Sequence, residues 1–183
     1  MVYMLLANGF EEVEALAPLD FLRRAGVAIK TVSIGAQVVL GAHKIPVTAD
    51  LSVDEVDFSD ATMLILPGGM PGTTNLDAFP AMTDILRTVY DKGGYLAAIC
   101  AAPLILGKRG YLKGKEAICY PGFESDLIEA TLSDKPVVVD GHVVTARSAG
   151  VAWEFGYRLA ELLAGKETSE SVRKGLFLPE FGG

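Results

Sequence analysis

Short apolar runs alternate with longer amphipathic segments along most of this 183-residue chain. The first run, from Val2 to Ala7, is continuously apolar, as expected for a strand that is buried on both faces of a sheet. The segment from Glu11 to Ala25 then carries apolar residues at helical spacing, has arginines in its last turn and stops at Gly26. This alternation predicts an α/β fold in which a mostly parallel sheet carries helices on both faces.

Further elements follow from the same criteria, namely apolar runs bounded by turn residues for strands and helical spacing for helices. Strands are predicted from Val27 to Ile34, Val38 to Leu40, Ile45 to Val47, Met63 to Leu66, Ala117 to Tyr120, Pro136 to Val139 and Val143 to Ala146, with another that ends at Cys100. Helices are predicted from Pro80 to Asp91 and from Gly150 to Ala164. The dipeptide Asp140-Gly141 favours a tight hairpin turn between the last two strands.

Length and composition indicate one globular domain over residues 1–183, with disorder expected only at 180–183. Half of the residues are hydrophobic, 21% are charged and the formal net charge is -7. Because the chain has no cluster of Lys and Arg, we expect it to bind neither nucleic acid nor an anionic membrane surface. A small molecule or another protein is the predicted partner.

The apolar runs are strand-sized, so a membrane-spanning helix is not expected, and the N-terminus lacks the pattern of a signal peptide. Two cysteines, Cys100 and Cys119, cannot form a disulfide framework and fit a reducing, cytoplasmic environment. The two cysteines and two histidines also lack the spacing of zinc ligands, so no metal site is expected.

Cys100 is the leading candidate for chemistry, because it lies where an apolar strand is followed by a predicted helix. A sharp turn at that point exposes the middle side chain at the top of the sheet and requires small neighbours. Ala97, Ala98, Ala101 and Ala102 meet that requirement. Backbone amides that open a helix favour thiolate over thiol, so a lowered pKa is expected for Cys100. The alternative is a buried core cysteine without reactivity, which is the interpretation we prefer for Cys119.

Two other segments are predicted at the same edge of the sheet as Cys100. Residues 8–14 follow the first strand and residues 67–72 follow the strand that ends at Leu66. Because ligands of open α/β sheets bind at the carboxyl ends of the strands, these segments are expected to form one site with Cys100. The amides of Gly68, Gly69 and Ala101 could then form an oxyanion hole, although a tight turn alone would also explain the two glycines.

A partner for the thiol has to come from the residues near it. His43 and His142 lie in predicted hairpin turns, where a solvated role is the simpler explanation. Glu14 is the better candidate, since it is placed toward the apolar side of its helix, whereas Glu11 and Glu12 are expected to face away from it. A buried carboxyl has a raised pKa and can exchange a proton with a thiol and a substrate.

The chain resembles the ThiJ/PfpI family, and within it the DJ-one branch. Four motifs carry the resemblance, and they occur in the order Gly9-Phe10-Glu11-Glu12-Val13-Glu14, Arg23-Arg24-Ala25-Gly26, Leu66-Pro67-Gly68-Gly69 and Ala98-Ile99-Cys100-Ala101-Ala102-Pro103, followed by Val144-Thr145-Ala146-Arg147-Ser148-Ala149-Gly150. The resemblance implies a flavodoxin-like three-layer sandwich and a homodimer through the first helix and the hairpin near residues 38–48. It also implies that Cys100 is an easily oxidised nucleophile, that Glu14 is its protonated partner, and that the amides of Gly69 and Ala101 lie at the thiol.

Two positions depart from the family pattern. Tyr120, in Cys119-Tyr120-Pro121, stands where some members carry a histidine, so the pattern does not support a histidine-dependent triad and makes Tyr120 a candidate pocket residue with Gly68. The hairpin around His43 stands where some members carry a pocket arginine.

By the same resemblance we expect a cofactor-independent glyoxalase or deglycase that acts on a small electrophilic carbonyl such as methylglyoxal, or on a protein that carries its early adducts. One alternative is an oxidative-stress sensor or redox-regulated chaperone that uses oxidation of Cys100. Another is a cysteine amidase, peptidase or hydratase, among which peptide hydrolysis is the least favoured because it needs a strong general acid.

Overall fold

A computed structural model describes residues 1–181, and Gly182 and Gly183 lie outside the described residues. The strands are β1 (Val2–Leu6), β2 (Ile29–Ser33), β3 (Val38–Leu40), β4 (Pro46–Thr48), β5 (Leu51–Ser52), β6 (Met63–Leu66), β7 (Tyr95–Ile99), β8 (Glu116–Ala117), β9 (Thr131–Leu132), β10 (Val137–Asp140) and β11 (Val143–Ala146). The helices are α1 (Glu12–Arg24), α2 (Gly72–Asp77), α3 (Met82–Asp91), α4 (Pro103–Gly107), α5 (Ala152–Ala164) and α6 (Lys166–Gly175).

Seven strands form the central sheet in the order β10-β11-β7-β6-β1-β2-β5. Neighbouring strands run parallel except for β10 and β11, which form an antiparallel hairpin. The chain builds outward from β1 first to β2 and then, in the other direction, to β6 and β7. The order of strands therefore reverses between β1 and β6, and this reversal places a crevice for ligands at their carboxyl ends.

Two apolar clusters cover the two faces of this sheet. One cluster joins alternate residues of the central strands to α1 and α5, with Phe10, Phe21 and Phe155 completely buried. The other joins the opposite residues of the same strands to α2, α3 and α4. The sheet is therefore the middle layer of three, and the predicted flavodoxin-like α/β sandwich is confirmed.

One predicted strand is wrong. Of the segment from Ala117 to Tyr120, only Ala117 lies in a strand, β8, which pairs with β9 in a separate two-stranded sheet. Beyond it, the Ile118 amide donates to Thr145 Oγ1 and the Tyr120 amide donates to the Cys100 carbonyl. Because of these hydrogen bonds, the backbone from Ile118 to Tyr120 crosses the ends of the central strands and does not pair with another strand.

The sequence criteria also missed four of these strands and helices, β5, α2, β9 and α6. Helix α6 is too polar to show an apolar stripe, because the residues it buries are Ser169 and Arg173. The Ser169 hydroxyl donates to the Tyr157 carbonyl, and Arg173 donates to the Leu178 carbonyl and pairs with Glu170. The helix is therefore fixed by hydrogen bonds that periodicity does not reveal.

The expected disorder at 180–183 is not supported where the structure can test it. Phe181 lies edge-on to Tyr157 with ring centroids 5.4 Å apart, so the chain is packed against α5 at that point. The other part of that expectation concerns Gly182 and Gly183 and lies outside the described residues.

Candidate active site

Cys100 occupies a sharp turn between the end of β7 and the start of α4. Its φ is 65°, in the left-handed region that is uncommon for a residue with a side chain. The turn is held from both sides, because the Cys100 amide donates to the Ala146 carbonyl at 2.9 Å and its carbonyl accepts from the Tyr120 amide at 2.8 Å. The side chain remains partly exposed, while Ala101 and Ala102 are buried behind it. The predicted strand-to-helix turn is therefore present.

Glu14 lies in the first turn of α1 and points into the protein, with 1% of its surface exposed. Its Oε2 accepts a hydrogen bond from the Gly68 amide at 3.0 Å. The Cys100 thiol and the Ala149 amide also lie close enough to this carboxyl to lower its pKa. The structure therefore places Glu14 and Cys100 next to each other, on either side of Gly68.

The Gly68-Gly69 loop after β6 fits between these two side chains. A Cβ on Gly68 would lie 2.6 Å from the Cys100 Cβ and 2.6 Å from Glu14 Oε2, so a larger residue would displace one of them. Gly69 has a φ of +87°, and its amide and that of Ala101 lie close enough to the Cys100 sulfur to lower the thiol pKa. Both predicted amides thus lie at the thiol.

Burial dominates the protonation of this pair. It raises the pKa of Glu14 from 4.5 to about 7, and the nearby Glu11 carboxylate acts in the same direction, against hydrogen bonds from Cys100 and from the Gly68 and Ala149 amides. The pKa of the Cys100 thiol is also raised, first by burial and then by the negative charge of Glu14. The expected lowering of the thiol pKa is therefore wrong, because the Gly69 and Ala101 amides oppose these effects without outweighing them.

Because the charge of Glu14 raises the thiol pKa and burial raises the pKa of both groups, the pair carries at most one negative charge in the neutral pH range. When that charge is on sulfur, Glu14 is a neutral carboxylic acid and can donate a hydrogen bond to the thiolate. The negative charge of Glu14 that would repel the thiolate is then absent, and the amides of Gly69 and Ala101 still favour the thiolate. This arrangement can hold a nucleophilic sulfur and an adjacent transferable proton.

The remaining candidates lie around this centre or away from it. Tyr120 is 47% exposed and contacts Cys100 through its backbone. His142 is exposed and stacks on Tyr95, with ring centroids 4.8 Å apart. His43 lies on the loop between β3 and β4, and its ring is hydrogen-bonded to Glu12 of α1. Neither His43 nor His142 forms a hydrogen bond with the Cys100 thiol.

Cys119 packs in the apolar cluster on one face of the sheet, whereas Cys100 borders the cluster on the other face. The prediction that Cys119 is a packed residue therefore fits its position, but the predicted strand around it is absent. Both cysteines are free thiols.

Sequence reasoning missed three contributions to the site. Glu12 was expected to face solvent, yet it is buried and accepts hydrogen bonds from the amide and the ring of His43. Glu11 caps α1 by accepting from the Glu14 amide at 2.7 Å. The Ala149 amide reaches Glu14 from a short 3-10 turn, Ala149–Val151, whose motif was recognised without its role. The Glu11 cap is local, three residues from its partner, whereas the roles of Glu12 and Ala149 depend on partners that only the tertiary fold brings near.

Across residues 1–181, no helix has both the length and the apolar character needed to cross a bilayer. The fold and the site define a flavodoxin-like α/β protein that carries a cysteine at a strand-to-helix turn, next to a buried carboxyl.

Comparison with known proteins narrows this class. The model of the DJ-1/PfpI family matches residues 1–162. A curated relative, protein dj-1beta of Drosophila melanogaster, is 36% identical over 96% of this chain and 95% of its own length. The protein named Deglycase PfpI from Pyrococcus furiosus is 34% identical over 88% of this chain and 98% of its own length. The chain therefore belongs to the DJ-1/PfpI family.

Solved structures agree with this assignment. The crystal structure of Drosophila melanogaster DJ-1beta superposes with a TM-score of 0.91 at 36% identity, and the match covers 98% of both chains. The structure of Toxoplasma gondii DJ-1 in an oxidized form superposes with a TM-score of 0.93 at 31% identity, again over 98% of both chains.

Proposed function

We propose that this protein is a cysteine-dependent glyoxalase or deglycase. In this proposal Cys100 is the nucleophile, Glu14 transfers protons, and the amides of Gly69 and Ala101 stabilise negative charge. The observation that carries it is the placement of the buried Glu14 carboxyl beside Cys100, both against Gly68, with the pKa of Glu14 raised to about 7. An acid with such a pKa can both give and take a proton near neutrality. The deglycase name of two archaeal relatives, at 34% and 33% identity, supports the same reaction class.

The proposed substrate is a small electrophilic carbonyl such as methylglyoxal, free or as its early adduct on a protein amine or thiol. The Cys100 sulfur adds to the aldehyde carbon, and Glu14 donates a proton to the oxygen that becomes the hydroxyl. Glu14 then removes the hydrogen from that carbon while the ketone oxygen takes up a proton, which gives an enediol. A proton is delivered to the former ketone carbon, and the hydroxyl on the sulfur-bearing carbon loses its proton to become a carbonyl. The result is a thioester, which water hydrolyses to lactate and free thiol. Methylglyoxal plus water has the composition of lactic acid, so no external oxidant or cofactor is required.

Lactate release from methylglyoxal by the purified protein tests this proposal. Cys100→Ser should abolish turnover, and Glu14→Gln should reduce kcat by about 10²- to 10⁴-fold, the usual contribution of general acid–base catalysis. Cys119→Ala is the matched control, since Cys119 lies on the other face of the sheet, and it should retain activity. Unchanged turnover in both Cys100→Ser and Glu14→Gln would refute the mechanism.

Oxidation sensing is a second candidate function, and it is favoured by the same placement of Glu14 beside Cys100. A protonated Glu14 would donate to the oxygen of a sulfinate formed at Cys100 and thereby stabilise it. A relative has been solved in an oxidized form. Intact-mass measurement after mild peroxide treatment should show oxygen added to the native chain and much less added to Cys100→Ser; equal uptake would exclude Cys100 as the sensor. The third candidate, amide or peptide hydrolysis, is the weakest, because His43 and His142 are engaged elsewhere.

We further propose that the functional unit is a homodimer. An apolar groove of about 510 Å³ lies along α1, lined in part by exposed Val13 and Ile45 together with Leu16 and Trp153. A second copy of the chain would cover these side chains. Sedimentation equilibrium should give twice the chain mass, and a stable monomer would contradict the dimer.

Because both cysteines are free, the proposed location is a reducing compartment such as the cytoplasm.

A further inference from the structure

Three side chains with metal-ligand chemistry meet where α1 begins. They are Glu11, Glu12 and His43, and one potential ligand atom from each lies within 4.8 Å of the others. His43 Nδ1 is 2.7 Å from Glu12 Oε2 and 3.9 Å from Glu11 Oε1. An imidazole nitrogen and two carboxylate oxygens thus converge on one point, although His43 lies 31 residues from Glu12 in sequence.

The carboxylate of Glu12 makes this cluster unusual for a protein surface. Its side chain is 5% exposed, and the side chain paired with it is His43, which is itself 69% exposed. A Cβ on Gly41 would overlap the Glu12 carboxylate, so the loop between β3 and β4 encloses that group closely. Its oxygens accept hydrogen bonds from the amide and the ring of His43, so the opposite charge that such a buried carboxylate requires can come from a protonated His43 or from a bound metal ion.

We propose that Glu11, Glu12 and His43 bind a divalent transition-metal ion of the zinc type. Tetrahedral zinc has ligand bonds of about 2.0–2.2 Å, which separates neighbouring ligand atoms by about 3.3 Å. The observed separations of 2.7 and 3.9 Å lie on either side of that value, so small rotations of the exposed His43 ring and of Glu11 would complete the geometry. The imidazole ligand favours zinc over calcium or magnesium, which prefer oxygen ligands alone.

The charges and protons of the proposed site balance. Two carboxylates neutralise the double charge of the ion, and His43 binds through a neutral Nδ1, so the proton now shared with Glu12 goes to solvent. Three protein ligands leave a fourth coordination position. The ion would connect the start of α1 to the loop that joins β3 and β4. This site goes beyond the proposed reaction at Cys100 and does not depend on it.

Calorimetric titration of the metal-free protein with Zn²⁺ tests the inference without any activity assay. The native chain should bind one Zn²⁺ and gain thermal stability on binding, since a ligand held only by the folded state raises the melting temperature. His43→Gln should weaken Zn²⁺ binding by at least about tenfold, because even the loss of an outer-shell partner costs about 10- to 100-fold. His142→Ala removes the only other histidine of the sequence and should leave affinity unchanged.

Cys100→Ser separates this site from metal capture by the reactive thiol, and it should keep the same Zn²⁺ affinity as the native chain. His43→Ala serves as a second variant, and melting in the presence of a chelator checks that each variant is folded. The inference is overturned by Zn²⁺ binding that survives both His43 variants, by binding that is lost only in Cys100→Ser, or by a native chain that does not bind Zn²⁺. In each of those outcomes the Glu12 and His43 pair is a hydrogen bond only.

Discussion

Replacing Glu14 by Gln should change how the stability of the protein depends on pH. Folding raises the pKa of this carboxyl from 4.5 to about 7, chiefly because the side chain is buried. The folded protein therefore holds the Glu14 proton more tightly than the unfolded chain does. As a result, the contribution of Glu14 to stability falls as the pH rises from 4.5 to about 7 and is constant above that interval.

The size of this effect follows from the two pKa values. At about 1.36 kcal/mol for each pH unit, a pKa that moves from 4.5 to about 7 corresponds to a loss of about 3 kcal/mol. A glutamine at this position keeps an oxygen that can accept the Gly68 amide, and it cannot ionise. Glu14→Gln should therefore gain stability relative to the native chain by up to about 3 kcal/mol on going from pH 4.5 to above 7.

Urea unfolding of both proteins at several pH values across this interval measures the difference directly. All other titrating groups are common to the two chains, so their contributions largely cancel in the difference between the two unfolding free energies. A chelator in every buffer keeps metal binding out of the comparison. A difference that stays constant from about pH 4.5 to about pH 8 would refute the raised pKa of Glu14, and with it the reason for assigning proton transfer to this residue.

Four further substitutions test the geometry around this pair and the packing of the layers, and one of them, Gly175→Ala, is a control. Gly68→Ala should lower turnover by about 10²-fold without unfolding the chain, because its Cβ would lie 2.6 Å from the Cys100 Cβ and catalytic groups tolerate little displacement; native kcat would contradict this. Cys119→Ala should leave the rate of alkylation of Cys100 unchanged by intact mass, and a slower rate would show that the two thiols are coupled. Gly156→Ala should lower the free energy of unfolding, measured in urea, by about 1–3 kcal/mol, because α1 and α5 are already in contact at Gly156. As a control, a Cβ at Gly175 would meet nothing within 4 Å, so Gly175→Ala should change that free energy by less than about 0.5 kcal/mol. Equal effects of the two alanines would mean that close packing at Gly156 is not limiting.

The fold class and Cys100 could be predicted from sequence because both depend on local patterns. Buried parallel strands are continuously apolar, and Val2–Leu6 and Met63–Leu66 show this directly. A strand-to-helix turn needs small residues on either side of its central side chain, and the alanines around Cys100 supply them. Glu14 was recognisable in the same way, as a carboxyl on the apolar side of a short helical pattern.

What the sequence could not predict depends on contacts between distant residues. Glu12 has the same local surroundings as Glu11, yet it is buried by a loop that begins near Gly41. Tyr120 belongs to an apolar run that predicts a strand, but its amide donates a hydrogen bond to the Cys100 carbonyl and is not available to a neighbouring strand. The thiol pKa was misjudged for a related reason, since the effect of the Gly69 and Ala101 amides has to be weighed against burial and a nearby carboxylate that only the fold brings together.

The centre combines two unfavourable features that packing alone does not explain. A non-glycine residue in the left-handed region costs about 1–3 kcal/mol, and Cys100 is held there by hydrogen bonds to Ala146 and Tyr120. Burying the ionisable Glu14 against it costs about 3 kcal/mol more above neutral pH. An apolar pair of similar volume at these positions would avoid the second cost and need none of the amides of Gly68, Gly69 and Ala101 directed at it. Strain of this kind gathers at functional sites, and here both costs serve one result, which is to place an exchangeable proton against a partly exposed sulfur.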